Sequence, residues 1–273
     1  MRHQRLWGES VGLAADSRGY VRTVEENLFQ PFNDSTRIAF ERGSGSELQD
    51  TDSRPAKMRA LHSSSALAVN FFDQWIGIDD LPLRSALDLR AKISSIAFEE
   101  QCPTGLGGIP PNLDVLLKLA DGHVVGIESK FSEWLTKKTK AQEPIKVKYF
   151  ASDTGRWSAL GLPKAQQLAE QIYAGETHFD HLDAPQLLKH ALGLATQFGQ
   201  RFSLAYVFLD WPGPESDIHR AEIVRFSSSI DESLQFSAKT YNDLLDFLTD
   251  DGRTDTEYLR YMGERYLAPV EVR

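Results

Sequence analysis

PPNLDVLLKLADGHVVGIESKF, residues 110–131, holds two apolar runs, Asn112–Ala120 and His123–Phe131, on either side of Asp121-Gly122. An Asp-Gly pair between apolar runs is a strong short-range signal for a β-hairpin, because glycine accepts the positive φ that a tight reversal needs. Pro110 and Pro111 mark the entry, since proline cannot donate to a ladder and suits the approach to a strand better than its middle. Within the second run, Glu128 and Lys130 stand two residues apart and therefore share one face, while Ile127 and Ser129 face the other way.

The surroundings extend the pattern to an α/β layer fold. Upstream, Ser63 to Ser65 are N-cap candidates for a helix carrying Leu67, Asn70, Phe71, Trp75 and Ile76, followed by a helical piece over Leu83–Lys92 and a strand over Ile93–Glu99. Downstream, Lys164–Tyr173 and Pro185–Phe198 have helical spacing, the second with a wide apolar stripe, and Phe202–Leu209 (FSLAYVFL) reads as a buried strand. A strand near Leu234–Ser237 and helices over Thr240–Leu248 and Glu257–Leu267 complete the chain. The first sixty residues are polar, with a Gly/Ser/Asp-rich stretch at Arg42–Arg54, and read as an irregular arm.

Composition narrows the function classes. The chain has 273 residues and 41% hydrophobic content, enough for a sizeable core. No stretch resembles a signal peptide or a membrane span, so a soluble, cytoplasmic protein is expected. One cysteine, Cys102, excludes internal disulfides and clustered-thiolate zinc sites, and reads as a partly buried thiol. A net charge of -9 is unlike a protein that coats nucleic acid, so any basic surface must be local. Lys137, Lys138, Lys140, Lys146 and Lys148 provide one such place, diluted only by Glu143; a solvated loop and a phosphate-tracking one both remain open.

Other features are set aside. His178 and His181 lie in a polar linker and read as solvent-exposed, and none of the histidines has convincing metal spacing on a helix. The glycines of GLGG, Gly105, Gly107 and Gly108, precede prolines and a strand, not the helix that a phosphate loop needs, and read as a flexible loop near a site mouth. Tyr258, Tyr261 and Tyr266 read as core.

Asp114 on the first strand, with Glu128 and Lys130 on the second, supplies what hydrolysis of a phosphodiester asks for. Two carboxylates can hold Mg²⁺, and a compact ammonium can bind water and offset developing negative charge. Spacing alone is cheap: with twelve lysines and 39 acidic residues, about one or two acid-x-Lys triplets arise by chance, and the chain has one. Placement carries more weight, because a Glu and a Lys in an apolar strand are costly unless paired or functional. A strand with one solvated face stays open as the alternative. A hairpin register condition follows. A strict two-residue turn sets Asp114 opposite Ser129, whereas a connection of Asp121, Gly122 and His123 pairs it with Lys130; an odd-length connection or a bulge is expected.

The run Pro110–Phe131 resembles the central hairpin of the PD-(D/E)xK nuclease superfamily, the fold of many restriction enzymes and of RecB-type nuclease domains. Asp114 matches the motif's aspartate, Glu128 its second acid and Lys130 its lysine; Leu113 stands where proline is usual, with Pro111 three positions before Asp114. The resemblance implies an α/β, restriction-endonuclease-like mixed sheet flanked by helices, with extra helical segments at both ends. It further implies a DNA substrate, Mg²⁺ or Mn²⁺ on Asp114 and Glu128, and an additional acid at Glu99. RecB-like members carry a Gln-x-x-x-Tyr helix, to which Gln186 corresponds as a supporting residue, with His190 in the tyrosine's place; Gln167, with Gln171 and Tyr173, is the competing candidate. The expected organisation is an arm over 1–60 and a nuclease-like domain over 61–273 with a C-terminal helical extension, acting as a DNA endonuclease in restriction or repair. A homodimer or a partner protein is compatible, and a catalytically silent binding module or an RNA substrate remains the alternative.

Overall fold

The computed structural model describes residues 2–43, 46–138, 145–150 and 155–267. Its helices are α1 (Arg2–Ser10), α2 (Asp34–Arg42), α3 (Ser64–Phe72), α4 (Leu81–Ala86), α5 (Arg156–Ala159), α6 (Pro163–Tyr173), α7 (Ala184–Phe198), α8 (Pro214–Ile230), α9 (Tyr241–Asp251) and α10 (Thr256–Met262). The strands β1 (Ile93–Gln101), β2 (Asn112–Leu119), β3 (Val124–Lys130), β4 (Phe202–Phe208) and β5 (Phe236–Thr240) form one mixed sheet in sequence order. The chain is thus of the expected α/β class, a mixed five-stranded sheet flanked by helices. Two compact units divide it, residues 100–239 and residues 1–99 with 240–273.

In the first of these, β2 and β3 are the expected antiparallel hairpin. Leu119 and His123 close it, with the Leu119 N–H on the His123 carbonyl at 2.9 Å and the Gly122 N–H on the Leu119 carbonyl at 3.0 Å. The connection is therefore Ala120-Asp121-Gly122, odd as expected but one residue earlier, with Gly122 at φ 84. The Asp121 carboxylate accepts the His123 N–H at 2.9 Å, which helps fix that start. Strand β3 then runs parallel to β4, and a parallel return needs a crossover, supplied by α5, α6 and α7.

Helix α7 has clear local causes. The Asp183 side chain caps it on the Gln186 N–H, Pro185 stands in its first turn, and Gly199 ends it at φ 62. Its face of Leu187, Leu188, Ala191, Leu192, Leu194 and Ala195 is buried, each leucine worth about 1.5–3 kcal/mol relative to exposure. Two glycines permit the close packing. A Cβ on Gly193 would lie 2.3 Å from the Cys102 carbonyl oxygen, and one on Gly126 of β3 would lie 2.7 Å from Leu194 Cδ1. Cys102 is buried as read, and its thiol pKa is pushed up to about 12, by burial first and the Glu100 charge second.

Several expectations need correction. The sequence reading did not anticipate the 17-residue α8, and the helical piece expected at Leu83–Lys92 is the six-residue α4, ending at Ala86. His181 is buried, its Nδ1 2.6 Å from the Trp134 carbonyl, and so is not the exposed linker residue expected; His178 pairs with Asp180 at 2.9 Å. The first sixty residues are not an irregular arm. They carry α1 and α2, bury Trp7 and Phe40, and group with the C-terminal helices in the second unit, so position 60 is not where the units divide. The buried Asn27 amide donates to the Met58 and Ala60 carbonyls at 2.7 and 2.8 Å. Ser63 caps α3 on the Ala66 N–H, and Tyr258 and Tyr266 are core residues, both as expected.

Candidate active site

Glu128 is 1% exposed at the centre of β3, and the Lys130 side chain is 15% exposed. The alternative of a solvated face is thereby excluded. Continued from Val115 opposite Ile127, the register brings Asp114 level with Glu128, not Lys130. There the Asp114 carboxylate accepts the Ser129 N–H at 2.7 Å. Asp114 is held at the junction of the two strands by the backbone of the strand that carries its partners.

Lys130 Nζ lies against Glu128 Oε1, and His190 Nε2 lies 2.8 Å from Glu128 Oε2. The two oxygens thus each face a nitrogen of a neighbouring side chain. Burial alone would raise the Glu128 pKa, but the charges of Lys130 and His190 outweigh it and hold it below the ordinary value. Burial likewise works against the Lys130 charge. Glu128, Asp114 and Glu133 overcome it and raise its pKa well above the usual lysine value, so the ammonium stays protonated. Glu133, which the sequence reading missed, sits just past β3, exposed, with Oε2 accepting the Phe131 and Ser132 N–H groups at 2.9 and 3.0 Å.

His190, set by the sequence in the tyrosine's place with no role of its own, is the larger addition. It projects from α7 and is 0% exposed. Leu194 meets the position above Gly126 and His190 meets Glu128, so α7 runs antiparallel to β3, one helical turn to two strand residues. Four helical residues rise about 6 Å and two strand residues about 6.6 Å, which keeps the two in step. One turn further, Gln186 falls level with Lys130, half-buried. Its competitor Gln167 is exposed on α6, as is Tyr173 at 45%. The signal for His190 was its position four after Gln186, on the stripe that faces β3.

Glu99 lies within β1, two residues before its end, at φ 50, a left-handed conformation that costs a non-glycine residue about 1–2 kcal/mol. Its Oε2 is 3.6 Å from where a Cβ on Gly43 would stand, by the end of α2. Among the described residues, no group of three or more His, Cys, Asp or Glu side chains is gathered as a metal site.

A mixed five-stranded sheet flanked by helices is consistent with a restriction-endonuclease-like protein. The comparison with known families agrees: the family described as "Restriction Endonuclease associating with ARP" matches residues 5–267, and the chain belongs to it. No curated protein and no solved structure gives a match.

Proposed function

We propose that this chain is a Mg²⁺-dependent deoxyribonuclease of PD-(D/E)xK type, with Mn²⁺ able to substitute, acting in restriction or repair. The observation that carries the reading is the buried Glu128 carboxylate, paired with Lys130 and His190, with the Asp114 carboxylate also acting on Lys130. A buried acid is costly unless paired or functional, and two carboxylates beside a lysine offer the oxygen donors that a hard cation takes. Asp114 and Glu128 would hold the ion, with Glu99 as an accessory acid. When bound, it supplies positive charge that polarises a phosphate oxygen and acidifies water.

The chain's own residues do the rest. Lys130, kept protonated by three carboxylates, donates to the attacking water and offsets charge developing on the phosphate; it is not a base. His190 holds the Glu128 carboxylate in place from α7, and Gln186 supports the Lys130 end of the site. The family's description as endonucleases associating with ARP favours a partner protein over a lone homodimer. No described helix is long and apolar enough to cross a membrane, and the proposed setting is the cytoplasm.

Cleavage of linear, circular and single-stranded DNA, with RNA as a further substrate, tests the reading. Wild type is compared with Asp114→Ala and Lys130→Ala in Mg²⁺, Mn²⁺ and EDTA. Metal-dependent cleavage by wild type and its loss in both variants are expected. Equal cleavage by the variants would refute the site, and no cleavage by folded wild type would favour a silent binding module.

A further inference from the structure

The five lysines expected to form a basic stretch separate in the structure. Lys137 Nζ is 2.6 Å from Asp180 and Lys138 Nζ is 3.2 Å from Asp183, so both are neutralised locally. Lys140, with Glu143, lies outside the described residues. Lys146 is exposed, and Lys148 reaches the Gly107 carbonyl while lying 5.7 Å over the Tyr149 ring. On α7, Lys189 completes a cationic group: burial first, and then repulsion from Lys146 and Lys148 against the pull of Asp183, lowers its pKa. The charges of Lys146 and Lys148 are thus felt at Lys189, in a protein of net charge -9.

The cluster adjoins the candidate active site along the chain. Lys189 precedes His190, and the Gly105–Gly108 loop that Lys148 pins leads through the prolines to Asp114. At the tip, Ile109 is 82% exposed and Val147, between Lys146 and Lys148, is 61% exposed. A Cβ on Gly105 or Gly107 would meet nothing within 4 Å, so the loop backbone is open to close approach. Apolar tips between cations suit a groove between phosphate chains.

We propose that Lys146, Lys148 and Lys189 track the phosphate backbone of a nucleic acid duplex, with the Gly107–Ile109 tip seated in its groove, and so lay the scissile strand across Asp114 and Glu128. The proposal rests on the nuclease reading of the site. Binding of the full chain to duplex DNA is measured in EDTA, without cleavage, across a salt series, for wild type, Lys146→Ala/Lys148→Ala/Lys189→Ala, the single Lys146→Glu, and a control Arg54→Ala/Arg90→Ala/Lys92→Ala. Thermal unfolding verifies the fold of each. Each lost phosphate contact lowers the slope of log K against log salt by about 0.9, so the triple variant loses about 2 to 3, Lys146→Glu about 1, and the control none. Ile109→Ser is expected to weaken binding at unchanged slope. A wild-type slope in the triple variant or in Lys146→Glu, or no duplex binding by wild type, overturns the track and leaves the lysines to an acidic protein surface; unchanged affinity in Ile109→Ser overturns the seating of the tip. The two readings fail separately: the binding series in EDTA reads the track without cleavage, and cleavage by Asp114→Ala in Mg²⁺ reads the site.

Discussion

Replacing Lys130 by methionine keeps an unbranched side chain of similar length and removes the ammonium from among Glu128, Asp114 and Glu133. Breaking a buried pair costs about 3–5 kcal/mol, because the remaining charge is left uncompensated. Two features lower the figure here: Lys130 is 15% exposed, and His190 stays 2.8 Å from the carboxylate. In EDTA at pH 7 the loss should be about 2–3 kcal/mol, read as roughly 30- to 150-fold faster hydrogen exchange at the β3 amides that open only on global unfolding. The pH dependence follows from the directions of the shifts. Glu128, lowered from its ordinary 4.5, contributes stability above that value and loses it as pH falls through the lowered one. Lys130, raised from 10.5, contributes below that value and loses it as pH rises through the raised one. The gap between wild type and variant is therefore full from about pH 5 to pH 10 and shrinks on acidification below about 4. A gap under about 1 kcal/mol at pH 7, or one that grows on acidification, would show that Glu128 is not a buried charge held by Lys130.

Asp114→Asn, which keeps an oxygen for the Ser129 N–H, should leave thermal stability within about 1 kcal/mol of wild type and lower cleavage by at least about 100-fold; single-turnover kinetics in Mg²⁺ read the second effect. Gly193→Ala puts a methyl 2.3 Å from the Cys102 carbonyl, so despite the better helix propensity it should destabilise by about 2–3 kcal/mol in urea unfolding. Glu222→Ala strips an acceptor from the N–H groups of Asp180, His181 and Leu182, at 2.6, 2.8 and 2.9 Å, and should cost about 2–4 kcal/mol with faster exchange at those amides. Glu222→Gln, with one acceptor oxygen left, should recover part of that loss.

The hairpin was legible because β-strand alternation and the Asp-Gly turn are local signals, and its odd length could be demanded from side-chain parity before any coordinates. Its offset by one residue could not, since the Asp121 side chain decides which residues make the turn. Helix α8 was hidden for a different reason. Its buried stripe is Ser216, His219, Glu222, Ile223, Phe226 and Ile230, and half of those residues are polar. Each has a use that only the fold reveals: Ser216 donates to Asp210, His219 stacks on Trp134 at 4.7 Å, and Glu222 ties down the segment before α7. Burial, followed by the charges of His181 and Lys138, lowers the His219 pKa to about 3, so it packs there as a neutral ring. The N-terminal helices were obscured in the same way. The fully buried Arg265 donates to the Asn27 carbonyl at 2.8 Å across 238 positions of sequence and lies over the rings of Trp7, Tyr261 and Tyr266.

The site divides along the same line. Asp114, Glu128 and Lys130 come from one hairpin and could be read from it, whereas His190 reaches Glu128 from a helix 62 residues later in the chain. What brings it there is the near match between a helical turn and two strand residues, made usable by the absence of side chains at Gly126 and Gly193. That match has a consequence for the residue type. An aromatic hydroxyl at this position would extend further than an imidazole, so a tyrosine here would need α7 to stand further from β3 than Leu194 over Gly126 allows. The histidine at 190 and the glycine at 126 are therefore two halves of one solution. His190→Tyr alone should disrupt packing, and Gly126→Ala, which pushes Leu194 away, should loosen the hold of His190 on Glu128 as well.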